Sequence, residues 1–156
     1  MILLTDDLRE RLLANGRDRG ADHVPVIKFF NPLGEGVWLA TELDADGDTL
    51  FGLADLGYPE LGSFSLEELI SIVLPFGMGI ERDILFTGDF PMSVWADAAR
   101  QAGSIRAAER ILYRAASPHV IVREAYREIR KAGDAPLHVS GSTRLRFAGK
   151  RRCPQR

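Results

Sequence analysis

The stretch Val37-Trp38-Leu39-Ala40-Thr41-Glu42-Leu43, with the Asp44-Ala45-Asp46-Gly47-Asp48 run and Thr49-Leu50-Phe51-Gly52-Leu53 after it, constrains the fold more than any other segment. Alternation puts Val37, Leu39, Thr41 and Leu43 on one face of a strand and Trp38, Ala40 and Glu42 on the other. Asp and Gly suit the reversal that follows, because they tolerate the backbone conformations of a tight turn. The apolar run from Thr49 to Leu53 then returns beside the first strand, so a hairpin is predicted.

The flanking segments carry their own signals. Thr5 can cap a first helix, Asp6, Asp7 and Glu10 favour its positive end, and Asn15-Gly16 offers a left-handed stop. Leu8, Leu12 and Leu13 form its buried stripe. A strand is expected from about Val26 to Phe30, with Pro25 compatible with an edge or first position. Gly57, Pro59 and Gly62 mark a loop, and Ser65-Leu66-Glu67-Glu68 is a capping box that opens a helix limited by Pro75. Ile84 to Thr87 reads as another strand. Asp89 with Pro91 starts a helix with Val94, Trp95 and Ala98 inward, ended by Gly103. Ser104 caps a helix to about Ala116, with Ile105, Ala108, Ile111, Leu112 and Ala115 as its apolar side. Ser117-Pro118 opens a further helix to about Ala132.

These elements predict an α+β fold. A small, mainly antiparallel sheet is built around the hairpin, helices pack on one face, and a helical C-terminal extension follows. Trp38, Leu39, Phe51, Leu53, Leu69, Ile84, Phe86 and Trp95 are the expected core. With 46% apolar and 27% charged residues, the chain reads as soluble and globular and not as disordered. Apolar runs such as Leu69 to Met78 are broken by Ser71, Pro75 and Gly77 and are too short to span a bilayer. The first residues lack the pattern of a signal peptide, and a single cysteine, Cys153, excludes an internal disulfide, so a cytoplasmic protein is expected.

The net charge of −2 conceals a division. Residues 1–103 carry 7 Lys/Arg against 18 Asp/Glu, whereas residues 104–156 carry 13 against 4, a change from −11 to +9. Two domains follow from this: an acidic α+β domain over 3–103 and a basic helical extension with an irregular tail over 104–156. Such asymmetry suggests a surface for a polyanion. Arg106, Arg110 and Arg114 recur every four residues on one predicted helix, and Arg123, Arg127 and Lys131 on the next. Guanidinium groups stay charged and present a fixed fork of donors, which suits phosphate backbones. Solvated faces partly neutralised by Glu109, Glu124 and Glu128, or helices docked on the acidic domain, account for the same pattern.

Catalytic signatures are sparse. Counted from Asp44, oxygens fall at positions 1, 3, 5 and 12 of a loop ending at Asp55, which resembles a calcium loop. Thr49 stands where the sharp turn needs glycine, however, and both flanks are strands and not helices, so an acidic turn in solvent is favoured. Glu42, Asp55, Glu60, Glu81 and Asp83 form a looser carboxylate set that a metal-assisted hydrolase could use. His23, His119 and His138 lack metal-ligand spacing, and no nucleophile motif or phosphate-binding glycine loop appears. No metal or cofactor is expected.

One family resemblance emerges from Leu4-Thr5-Asp6 with Leu8 and Leu12-Leu13-Ala14-Asn15-Gly16, then His23-Val24-Pro25-Val26 with Lys28 and Phe30. It continues through Trp38-Leu39 with Thr41-Glu42-Leu43-Asp44, Phe51-Gly52-Leu53, Asp55-Leu56-Gly57, Pro59-Glu60-Leu61-Gly62, Ser65-Leu66 with Glu68-Leu69, and Ile80-Glu81-Arg82-Asp83. Over roughly residues 3–103 the chain resembles the bacterial domain of unknown function numbered 2958. The resemblance implies a small cytoplasmic protein associated with plasmids, integrative elements and phage-like regions. It supplies no catalytic residues, and it implies a variable acidic turn at the hairpin. The expected role is a non-enzymatic binding or accessory module of a mobile element, contacting nucleic acid or an acidic protein through its basic helices. The carboxylate hydrolase is the alternative. Oligomeric state is left open.

Overall fold

The computed structural model of the chain describes residues 2–116. All of them fall within one unit of the chain, Met1–Ile121. In chain order the elements are α1 (Asp6–Arg17), β1 (Ile27–Phe30), β2 (Val37–Leu43), β3 (Thr49–Asp55), β4 (Pro59–Ser65), α2 (Leu66–Ser71), a 3₁₀ turn (Pro75–Gly77), β5 (Glu81–Arg82), α3 (Met92–Ala102) and α4 (Ile105–Ala116). The strands form one sheet in the order β4-β3-β2-β1-β5, with every neighbouring pair antiparallel. The α+β class holds. The helix expected over 117–132 and the basic residues Arg123, Arg127 and Lys131 lie outside the described residues.

All seven residues of β2 are buried, because helices cover both faces of the sheet and not one as expected. On one side Leu12 of α1 and Leu66 and Leu69 of α2 pack with Ile27, Phe29, Trp38, Ala40, Leu43 and Leu50. On the other, Trp95, Ala96 and Ala99 of α3 and Ile105, Ala108 and Leu112 of α4 pack with Val37, Leu39 and Leu53. The central strand therefore has no polar face to alternate with.

The hairpin forms as predicted, with one irregularity that reassigns its faces. Ala40 pairs with Gly52 and Glu42 with Phe51, so Thr41 is an extra residue in β2. This bulge reverses the parity beyond it, and Leu43 joins Trp38 and Ala40 instead of Val37 and Leu39. Thr41 is fully buried yet satisfied: its hydroxyl donates to the Phe51 carbonyl at 3.2 Å, and its own carbonyl accepts from Asn15 Nδ2 at 2.8 Å. Asn15 and Gly16 are thus part of α1 and not its stop. A Cβ on Gly16 would lie 2.3 Å from the Leu43 carbonyl oxygen, so only glycine lets α1 approach β2 so closely. At Gly52 the same atom would be 1.8 Å from the Leu39 carbonyl oxygen.

Three further expectations are corrected. The segment marked as a loop by Gly57, Pro59 and Gly62 instead contributes to an edge strand, Pro59–Ser65, a position that tolerates its proline and glycine because one side of the ladder is unpaired. The strand expected at Ile84–Thr87 is absent. β5 ends at Arg82, and Asp83 turns the chain by accepting from Leu85 N through its side chain and from Phe86 N through its carbonyl. Ile84 consequently leaves the core, and Phe51 on the outer part of β3 is only partly covered. The serine and glycine signals of the later helices hold, whereas Thr5 makes no side-chain cap on α1 and Val94, expected inward on α3, is exposed. Ser65 Oγ accepts from Glu68 N, Ser104 Oγ from Ala107 N, and α3 ends at Gly103 in the left-handed conformation.

Candidate functional site

Lys28 is the second residue of β1 and lies in an apolar run, yet it is only 8% exposed. Strand alternation turns it toward the α3 and α4 side. There its Nζ donates to both oxygens of Glu109 on α4, at 2.6 and 2.7 Å, and to Asp83 Oδ2 at 3.1 Å. The Phe86 ring lies 5.9 Å from the ammonium and packs on Trp95 with centroids 5.7 Å apart. One buried cation is thereby shared by two carboxylates, one from the turn after β5 and one from α4. Pairing of this kind is what makes a buried lysine tolerable. Next to it stands Tyr113, one helical turn beyond Glu109. Burial and the Glu109 carboxylate push its phenol above the usual range, against hydrogen bonding to Thr87 and the charge of Lys28.

The trio of Lys28, Asp83 and Glu109 forms part of the wall of a cleft of about 620 Å³. Phe30, Val37, Ile84 and Leu85 give it apolar surface; Arg82, Arg106 and Arg110 add cations, and Glu81 a further carboxylate. Arg106 is tethered to the β1–β2 loop, donating to the carbonyls of Asn31 at 3.2 Å and Gly34 at 2.9 Å. Arg110 and Arg114 are exposed, and among the described residues neither has a hydrogen-bond or ion-pair partner. Arg82 Nη1 is buried without a hydrogen-bond partner among them.

Of the five carboxylates singled out from the sequence, only Glu81 and Asp83 share this cleft. Asp55, at the end of β3, is 7% exposed and accepts from Ile105 N at 2.8 Å and Gly57 N at 3.1 Å, so it holds the first turn of α4 in place. Glu42 sits beside the bulge of β2, and Glu60 is exposed on β4. Among the described residues, no group of three or more His, Cys, Asp or Glu is placed to hold a metal ion. The acidic hairpin turn uses its oxygens internally. Asp46 accepts from Asp48 N, Thr49 N and the Thr49 hydroxyl, Asp48 accepts from Glu67 N, and Asp44 pairs with Arg19. Of the six basic residues singled out, Arg106, Arg110 and Arg114 share the outer side of α4, opposite buried Ile105, Ala108 and Leu112.

Lys28 was missed in the sequence, where it is one lysine in an otherwise apolar run. That placement was itself the signal, since a charge inside a predicted strand needs partners. The partners lie 55 and 81 residues away and carry no local mark.

The fold defines a small α+β protein whose antiparallel sheet lies between two helical layers, with a mixed-charge cleft beside the last described helix. A family model described as Protein of unknown function (DUF2958) matches residues 3–106, about two thirds of the chain. The chain belongs to that family. No curated protein and no solved structure matches it. Among the described residues, no helix is long and apolar enough to cross a membrane.

Proposed function

We propose that the protein is a non-enzymatic binding module that engages nucleic acid through the basic surface beginning at α4, as an accessory factor of a bacterial mobile element. The observation that carries this reading is the state of Arg110 and Arg114. Both are exposed, both lie opposite the helix's buried side, and neither has a partner among the described residues. They begin a stretch in which residues 104–156 hold 13 basic against 4 acidic side chains. Of the three carboxylates that an internal account would set against the arginines, Glu109 is bound to Lys28, and Glu124 and Glu128 lie outside the described residues. Polyanion binding of this kind is driven by counterion release and therefore weakens steeply with salt. The test is a titration of the full-length protein with a labelled oligonucleotide at low salt and at rising salt. Tight binding that is lost as salt rises supports the reading; no affinity at low salt refutes it.

A further inference from the structure

We infer that the cleft beside α4 receives an unpaired base, so that the nucleic acid engaged is single-stranded. This deepens the polyanion reading above and rests on it. The cleft is near neutral: four cationic side chains in its wall face three carboxylates, and Lys28 is bound to two of these, Asp83 and Glu109. A neutral recess suits an uncharged base better than a phosphate, while exposed Arg110 and Arg114 lie along the same helix for the phosphates on either side.

The apolar part of the wall argues in the same direction. Ile84 and Leu85 are 72% and 84% exposed, large apolar side chains beside an arginine-bearing helix. Their turn is anchored by Asp83, so their exposure belongs to an ordered segment. Single-strand sites combine a basic track with aromatic faces on which bases stack, and an extruded base is held between aromatic and apolar side chains; in this wall Phe30 supplies the ring, and Ile84 and Leu85 the aliphatic surface. A duplex keeps its bases stacked and leaves such surfaces in water. The cleft, at about 620 Å³, falls within the range of sites that enclose a small ligand.

The experiment compares a single strand and a duplex of equal length by fluorescence anisotropy, with the full-length protein and two variants. The single strand is expected to bind about tenfold more tightly. The double variant Ile84→Ser/Leu85→Ser is expected to abolish that preference while keeping duplex affinity and thermal stability. Arg110→Ala/Arg114→Ala is expected to weaken both strands alike. Equal affinity for the two forms, or a preference unmoved by the serine variant, overturns the inference and leaves the polyanion reading standing. Absence of binding to either form overturns both. Polyglutamate is the competitor: if it binds the wild type more tightly than the single strand does, and the serine variant poorly, the cleft serves an acidic protein segment and the inference fails.

Discussion

The acidic hairpin turn and the basic side of α4 are both dense in like charge, but they differ in what their charges are doing. In the turn, the carboxylates accept hydrogen bonds from neighbouring backbone and side-chain groups, and Asp44 pairs with Arg19. On α4, Glu109 is bound to buried Lys28 and Arg106 to two carbonyls, whereas Arg110 and Arg114 face solvent without partners among the described residues. Charge density alone therefore does not mark a binding surface. A charge that already holds the fold together would have to give up a contact to meet a ligand, and an unengaged one would not.

That difference makes removal of an engaged charge the largest expected effect. Lys28→Ala strands two carboxylates against the sheet and is expected to cost about 3–5 kcal/mol in urea unfolding. A loss under 1 kcal/mol would mean that the trio is not a unit. Asp55→Ala comes next. It leaves Ile105 N and Gly57 N without their acceptor, for a loss of about 2 kcal/mol and a less protected first turn of α4 in hydrogen exchange.

Smaller again is the acidic turn. Bonding to Thr49, first through its hydroxyl, holds the Asp46 carboxyl below the usual range, and the Ser93 side chain does the same for Asp22. The native state thus binds fewer protons than the unfolded chain near the ordinary carboxylate pKa. The resulting stability is present above that value and is lost as pH falls through it toward the lowered native one. Asp46→Ala should lower Tm by a few degrees at neutral pH and flatten the acid limb of the stability curve. An unchanged acid limb would show that the turn is not engaged in the way its geometry indicates. The smallest effect belongs to the open charges: Arg110→Ala and Arg114→Ala should each change stability by less than about 0.5 kcal/mol.

The same contrast explains what could be read from the sequence. The hairpin, the caps at Ser65 and Ser104 and the placing of Arg106, Arg110 and Arg114 on one helix follow from local patterns, and among the described residues these are present. The bulge at Thr41 depends on Asn15, 26 residues earlier, and the partners of Lys28 lie still farther along the chain, so neither has a local mark. β4 was hidden for a different reason: Pro59 and Gly62 disfavour a central strand, and nothing nearby says that this one is an edge. Ile84 looked like core because its neighbours are apolar, yet the turn at Asp83 directs that stretch into the cleft wall. Sequence therefore found the open arginines of α4 but not the cleft beside them.

The central claim, that the outer arginines of α4 are open to a polyanion, is tested most directly by the salt dependence of oligonucleotide binding in wild type and in Arg110→Glu/Arg114→Glu. The account predicts a steep fall of affinity with salt for the wild type. For the variant it predicts a slope shallower by about two phosphate contacts, with Tm unchanged. Identical slopes and affinities for the two proteins would contradict it.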